Sequence, residues 1–152
     1  MKYIEILTQI RQIVRSVNLE SKRIEKEYGI SIPQLLCLTY LVRKENHLAT
    51  HKDIKDFLKL NASTVTGIIS RLEKKGFISR LPRQKDKRVS FVNITQNGQN
   101  LLKEMPELPH LQLSEKLKQL SPDHIQKLQD SFDVILNFLN FEQIEEAPIL
   151  PN

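Results

Sequence analysis

A short segment of the chain concentrates side chains that can bind a polyanion. The basic loop, residues 82–88, holds four cations around one acid: Arg83, Lys85, Asp86, Lys87 and Arg88. Guanidinium and ammonium groups pair with phosphate oxygens, and an arginine can also enter the narrow, electronegative minor groove of DNA. A carboxylate can fix a neighbouring guanidinium before binding, which is the role we predict for Asp86. The alternative is a solvated turn in which Asp86 is only a turn residue.

A second polar set precedes this loop, in residues 61–75. At about 100° per residue, a helix over this range places apolar and polar residues on opposite sides. The apolar side holds Val65, Ile68, Ile69 and Leu72, and the residues predicted to contact DNA are Ser63, Thr64, Thr66, Gly67, Ser70, Arg71 and Lys74. Hydroxyls suit base edges or phosphates, cations suit the backbone, and a glycine permits close approach in a major groove about 12 Å wide. An ordinary surface helix would also have a polar outer side.

The distribution of charge favours a polyanionic partner for the middle of the chain. Residues 43–103 hold fourteen basic and five acidic side chains, a net charge of +9, whereas residues 104–152 hold three basic and nine acidic ones, a net charge of −6. Concentrated positive charge is the electrostatic footprint of nucleic-acid binding, although a charge run by itself is more often a solvated surface.

Helices must position most of these residues. Apolar residues at three-to-four spacing predict one long helix over residues 2–27, ending near Gly29. Ser31 and Gln34 form a capping-box pattern at the start of a second, largely apolar helix. Thr50 and Asn61 are suitable caps for two shorter helices, and the second of these should end at Lys75–Gly76.

Two β-rich runs flank the basic loop. Residues 77–81 and 89–94 predict a hairpin, so the order over the middle third is helix, helix, helix, hairpin, which is typical of a winged helix. A following helix must be interrupted by Pro106 and Pro109, and Ser121–Pro122 starts a last amphipathic helix to about residue 141. Residues 142–152 are predicted to be a flexible acidic tail.

Taken together, these motifs resemble the MarR family of bacterial regulators. The resemblance is carried by the run Asn61–Ile78, with Leu72-Glu73-Lys74-Lys75-Gly76 at its end, by Asp86-Lys87-Arg88, and by Ile94-Thr95-Gln96-Asn97-Gly98. Ser31-Ile32-Pro33-Gln34 is similar to the family's usual opening of the second helix. The similarity extends from about residue 3 to 141. It implies a mainly α fold with a small β-hairpin: a winged helix-turn-helix with N- and C-terminal dimerisation helices.

The resemblance also implies an arrangement of domains and partners. Residues 1–30 and 104–141 would form the dimerisation helices of a homodimer, and residues 31–103 the DNA-binding lobe. Two lobes would reach successive major grooves of a pseudo-palindromic double-stranded operator. By position, Arg88 would be the minor-groove arginine and Asp86 its orienting partner. Many relatives carry a basic residue where this chain has Gly67, so specificity is expected to depend more on Ser63, Thr66, Ser70 and the hairpin.

Cysteine and histidine side chains could form other sites, but each has a simpler interpretation. Cys37 lies in an apolar helix without basic neighbours, which favours a core residue over a redox sensor. A helix break at Ala49–Thr50 separates His47 from His51, so we expect no metal site there and treat the histidines as surface or structural residues. No glycine-rich phosphate loop, nucleophile elbow or paired carboxylates are apparent, so we expect neither an enzyme nor a cofactor.

The sequence therefore predicts a dimeric, sequence-specific transcriptional regulator, a repressor released by a small-molecule effector. The alternative is a winged-helix protein-interaction module that does not bind DNA, since fold alone does not fix function. Such docking surfaces are usually depleted of lysine, in contrast to the +9 segment. No apolar run approaches the roughly 20 residues of a membrane span, and Glu5 interrupts a potential signal peptide, so a cytoplasmic protein without membrane contact is expected.

Overall fold

Seven α-helices and three short β-strands make up the computed structural model, which describes residues 1–81, 89–105 and 109–139. The helices are α1 (Lys2–Tyr28), α2 (Ile32–Arg43), α3 (His51–Leu58), α4 (Ala62–Lys74), α5 (Gln96–Glu104), α6 (Pro109–Leu117) and α7 (Pro122–Phe138). The strands are β1 (Leu48–Thr50), β2 (Ile78–Arg80) and β3 (Phe91–Ile94). The chain divides into two compact units, Met1–Leu102 and Lys103–Asn152.

The long first helix was predicted correctly, including its end. Gly29 adopts the left-handed conformation with φ 71°, and its N–H donates to the Glu25 carbonyl at 3.0 Å. Glycine adopts this conformation without a Cβ penalty, which is why the helix stops there.

Side-chain caps start the next three helices, as the sequence predicted. Ser31 and Gln34 form a complete capping box on α2, because each side chain accepts from the backbone N–H of the other residue. Thr50 and Asp53 form a second box on α3, and the Asn61 side chain accepts from the Thr64 N–H at 2.8 Å on α4. These bonds satisfy N–H groups that have no partner within the helix.

The three strands form one antiparallel sheet in the order β1-β3-β2. The predicted hairpin is present as β2 and β3, with Ile78 opposite Ile94 and Arg80 opposite Val92. The strand β1 was not predicted. It pairs Ala49 with Val92 on the other side of β3, and a single 3₁₀ turn, Glu45–His47, leads into it.

The core of the first unit lies between α2, α3, α4, the sheet and the C-terminal part of α1. Its fully buried side chains are Ile24, Ile30, Leu35, Leu38, Leu41, Ile54, Val65, Ile69, Leu72, Ile78 and Val92. Cys37 is buried among them, and burial raises the pKa of its thiol to about 12. The thiol therefore stays protonated at neutral pH, in agreement with the interpretation of Cys37 as a core residue.

A tight corner joins the sheet to α5. Thr95 donates from its hydroxyl to the Gly76 carbonyl at 2.6 Å and from its N–H to the Phe77 carbonyl at 2.9 Å. A Cβ on Gly98 would lie 2.4 Å from that Phe77 oxygen, so no larger residue fits without moving the backbone. The Thr-x-x-Gly pattern of Thr95 and Gly98 thus places the start of α5 directly against the start of the hairpin.

The second unit contains α6 and α7. Ser121 caps α7 by accepting from the His124 N–H at 3.2 Å, as predicted, and the helix ends at Phe138 rather than near residue 141. Helix α5 ends at Glu104 and α6 begins at Pro109, as the interruption by proline required. Pro106, the basic loop and the tail over residues 142–152 lie outside the described residues. Within the described part of the chain, no helix has the length and apolar character to cross a membrane.

Candidate nucleic-acid interface

Helix α4 presents two contrasting sides, as predicted from its sequence. Val65, Ile68, Ile69 and Leu72 are all buried. Ser63, Thr66, Arg71 and Lys74 are exposed, whereas Thr64, Gly67 and Ser70 are half-buried. The buried residues fix the helix on the lobe, and the polar side faces solvent with hydroxyls and cations suited to a polyanion.

The first turn of this polar side is organised by the cap. The Ser63 hydroxyl donates to Asn61 Oδ1 at 2.9 Å, and the Thr64 N–H donates to the same oxygen. Ser63 is therefore held at the N-terminus of α4, where the helix dipole favours an anion.

The middle of the polar side is covered by an arginine. A Cβ on Gly67 would come within 3.2 Å of an Arg71 guanidinium nitrogen, which shows that Arg71 extends back over Gly67, one turn earlier on the helix. Gly67 thus gives space to a guanidinium, which places positive charge at the centre of this surface rather than at its end.

Two residues that were not among those predicted to contact DNA hold members of the predicted set. Arg80 on β2 donates from Nη2 to Ser70 Oγ at 3.3 Å, and its Nε lies 3.2 Å from a Glu73 carboxylate oxygen. His51, the first residue of α3, places Nε2 3.0 Å from Thr66 Oγ1. Neither contact has a local sequence signal, because each depends on how α4 packs against its neighbours.

Lys75 forms a third unpredicted link at the end of α4. Its Nζ donates to the Gly29 carbonyl and lies 3.4 Å from Gln34 Oε1. The end of α4 is thereby tied to the junction between α1 and α2. Among the described residues, no group of three or more His, Cys, Asp or Glu side chains could hold a metal ion.

The predicted residues of the basic loop, Arg83, Lys85, Asp86, Lys87 and Arg88, lie outside the described residues. The strands that lead into and out of the loop are described, and the Leu81 N–H donates to the Phe91 carbonyl at 3.0 Å. The loop therefore starts from the strand beside α4, where Arg80 contacts Ser70 and Glu73.

Residues 20–105, more than half of the chain, match the family described as "Transcriptional regulator SarA/Rot". The chain belongs to the SarA/Rot family of transcriptional regulators. The matched segment contains α2 to α5 and the whole sheet, so the SarA/Rot assignment rests on the same elements that build the polar side of α4. The prediction of a transcriptional regulator is thereby confirmed.

Individual relatives of this SarA/Rot chain are also named as transcriptional regulators. The chain is 29% identical over 133 residues to the uncharacterized HTH-type transcriptional regulator YfiV of Bacillus subtilis, covering 86% of this chain and 81% of YfiV. It is 32% identical over 75 residues to the HTH-type transcriptional regulator SarU of Staphylococcus aureus, covering 49% of this chain. That match spans only 30% of SarU.

Solved structures support the fold of the SarA/Rot chain. The MarR family regulator Sco3205 of Streptomyces coelicolor, in complex with DNA, has a TM-score of 0.71 at 17% identity, covering 90% of this chain and 86% of that one. The S. aureus MepR–DNA complex has a TM-score of 0.66 at 21% identity, covering 86% of this chain and 95% of MepR. The predicted winged helix-turn-helix fold is confirmed, and in fold the chain is similar to the MarR family regulator Sco3205, as the resemblance implied.

Proposed function

We propose that the protein is a dimeric, sequence-specific regulator that binds double-stranded DNA through α4 and the basic loop. One observation carries this proposal: the polar side of α4 combines hydroxyls with the Arg71 and Lys74 cations, and it stands on an apolar side that is entirely buried. A helix fixed in this way can enter a major groove without rearranging its own core.

Each part of the polar side has a distinct role in this proposal. Arg71 and Lys74 bind phosphates, and Arg71 does so from the middle of the helix because Gly67 leaves room for its guanidinium. The hydroxyls of Ser63, Thr66 and Ser70 contact base edges or phosphates. Arg88 enters the adjacent minor groove with Asp86 orienting it, while Arg83, Lys85 and Lys87 follow the backbone.

A second copy of the chain is the proposed partner of the dimerisation helices. Helix α1 exposes large apolar side chains over residues 3–19, among them Tyr3, Leu7, Ile13 and Val17. Helix α7 exposes Leu128, Phe132 and Leu136 in the same way. Exposed apolar stripes of this kind mark protein contacts, and a two-fold dimer would match a pseudo-palindromic operator. Residues 1–30 and 104–141 form the dimerisation region in this proposal, and residues 31–103 the DNA-binding lobe.

The structural relatives support this proposal. Sco3205 and MepR were each solved in complex with DNA, and both share the fold that carries α4 here. We propose for this chain a cytoplasmic repressor without enzymatic activity, released from DNA by a small-molecule effector.

Binding measurements on single-site variants test the proposal. With an operator selected from random duplexes, Lys74→Ala should weaken binding to all DNA sequences alike. It should also flatten the slope of log K against log salt by about one unit, because one phosphate contact is lost.

Arg88→Ala should reduce the free energy of DNA binding by about 1–3 kcal/mol and lower the sensitivity to A·T content, because a minor-groove contact is lost. Asp86→Ala should be a milder form of Arg88→Ala. Fluorescence anisotropy at several salt concentrations, on the operator and on scrambled DNA, measures all three.

Lys22→Ala is the matched control, since it removes an exposed lysine of α1 outside the basic residues 43–103. It should leave affinity and salt slope as in the parent protein. If the parent binds neither DNA at low salt, or if every variant binds both DNAs as the parent does, then residues 43–103 have another partner, and a protein-interaction module becomes the better assignment.

A further inference from the structure

The Thr66 hydroxyl, at the centre of the polar side of α4, makes two contacts that together fix its proton. Its Oγ1 lies 2.9 Å from the Ala62 carbonyl oxygen, four residues earlier on the helix. The same Oγ1 lies 3.0 Å from His51 Nε2, on the neighbouring helix α3. Thr66 itself is exposed, so the hydroxyl remains accessible from solvent.

The proton can occupy only one of these two contacts. A carbonyl oxygen has no proton to donate, so an oxygen–oxygen distance of 2.9 Å is a hydrogen bond only when Thr66 is the donor. In this arrangement the contact with His51 is made by the imidazole tautomer that carries its proton on Nε2, with Nε2–H donating to Thr66 Oγ1. A hydroxyl has one proton and two acceptor lone pairs. The proton and one lone pair are therefore occupied, and a single lone pair is left.

We propose that His51 and Thr66 form a base-reading pair that accepts a hydrogen bond and does not donate one. In the major groove, only the adenine N6 and cytosine N4 amino groups donate, whereas guanine and thymine present acceptors at the corresponding positions. The pair therefore selects an amino-bearing base, adenine or cytosine, at one position of each half-site. This inference rests on the proposed insertion of α4 into the major groove.

His51 is the positioning residue of the pair. A threonine hydroxyl in a helix can leave the carbonyl and turn towards another acceptor, because the bond to the i−4 carbonyl is weak and competes with other partners. The donor from α3 holds the hydroxyl in place from the opposite side. Without it, Thr66 can rotate and donate to guanine, so the loss of His51 relaxes selectivity rather than removing binding.

Base analogues provide a test that leaves the protein unchanged. The operator is selected from random duplexes with the full chain, and every position is then scanned by anisotropy. At one position in each half-site, replacing adenine by purine, or cytosine by pyrimidin-2-one, should weaken binding about three- to tenfold, the effect of one lost hydrogen bond. Thr66→Val keeps the methyl group but lacks the hydroxyl, and it should bind the normal and the analogue operator equally.

Two substitutions of His51 test its positioning role. His51→Phe has no donor and should lower the discrimination against guanine at that position about three- to tenfold, while affinity for the selected operator stays close to that of the parent protein. His51→Gln retains an N–H donor and should keep the discrimination. Thr39→Val is the matched control, since the Thr39 hydroxyl makes the same bond to an i−4 carbonyl, at 2.9 Å, on α2. It should leave the base profile unchanged.

The inference and the proposed function fail in different ways. If the parent protein and Thr66→Val show the same base profile on DNA that both bind, the reading role of Thr66 is wrong while DNA binding stands. If His51→Phe retains full discrimination against guanine, the positioning role is wrong. If the parent binds no duplex at low salt, the proposed function fails and this inference fails with it.

Discussion

Helices α4 and α7 have the same kind of amphipathic pattern, but their apolar residues differ in burial. In α4 every apolar residue of the stripe is buried, and Leu72 has no exposed surface. In α7 the stripe remains open, and Phe132 keeps 50% of its surface exposed. Both stripes repeat at three-to-four spacing, so the pattern identifies which side of a helix is apolar but not what covers it.

The same contrast occurs within α1. Ile24, near the C-terminal end of the helix, is fully buried, whereas most of the apolar residues over positions 3–19 stay exposed. The exposed portions belong to the segments for which we propose dimerisation. The buried apolar residues therefore stabilise the DNA-binding lobe of a single chain. The exposed apolar residues are available for contact with a second chain.

The largest expected effect is on the uncovered stripe of α7. In Phe132→Asp a carboxylate would have to be buried in each half of the proposed interface, at a cost of several kcal/mol per charge. The variant should sediment at the mass of one chain, 17.7 kDa, and the parent protein at about twice that mass. Analytical ultracentrifugation at micromolar concentration measures the difference.

Asn137→Asp is the matched control for that charge, because position 137 lies on the other side of α7 from position 132. It should keep the mass of the parent protein. A parent that sediments as a single chain would contradict the dimer and would remove the basis for recognition of a palindrome.

The next largest effect is expected on the covered stripe of α4. Leu72→Ala leaves a cavity in the core and should lower the free energy of unfolding by about 2–5 kcal/mol, measured by urea titration at a fixed protein concentration. Lys74→Ala, two positions away on the exposed side, should change it by less than about 0.5 kcal/mol. Similar losses in the two variants would show that the two sides of α4 do not differ as described.

The smallest effect is expected at an exposed cap of the same lobe. The pKa of Asp53 is held below its ordinary value of 3.8, chiefly because the Thr50 backbone N–H donates to the carboxylate. A depressed pKa stabilises the fold above the unfolded-state value and loses that contribution as the pH falls through the folded-state value. The parent protein should therefore lose more stability below about pH 4 than Asp53→Asn does. Urea titrations down to about pH 2 measure this, with Asp56→Asn as the matched charge control; equal pH dependence in the parent and Asp53→Asn would contradict it.

The helices of the lobe were predictable because their signals are local. The Ser31–Gln34 box, the Asn61 cap and the Gly29 stop each involve residues within three or four positions of one another, so the sequence alone contains both partners. The polar side of α4 was predictable for the same reason, since a helix of known bounds fixes which residues share a side.

The parts that were missed depend on distant partners or on unusual backbone. Strand β1 is three residues long and is defined by pairing with β3, more than forty residues later in the chain. The preceding turn uses positive φ at Asn46 and His47, without the glycine that usually announces such a turn. The contacts of His51 with Thr66 and of Arg80 with Ser70 depend on interhelical and helix–strand packing, which composition and spacing do not specify.

The corner at Thr95 has a further consequence for the segment between the two strands of the hairpin. Thr95 ties the base of the hairpin to the end of α4, and the Leu81–Phe91 bond closes its other end. Residues 82–88 are thus inserted between Leu81 and Phe91, which a backbone hydrogen bond already joins. We therefore expect that the length and charge of this segment can be changed, or that the segment can be grafted from one relative to another, without altering the strands and the corner that carry it.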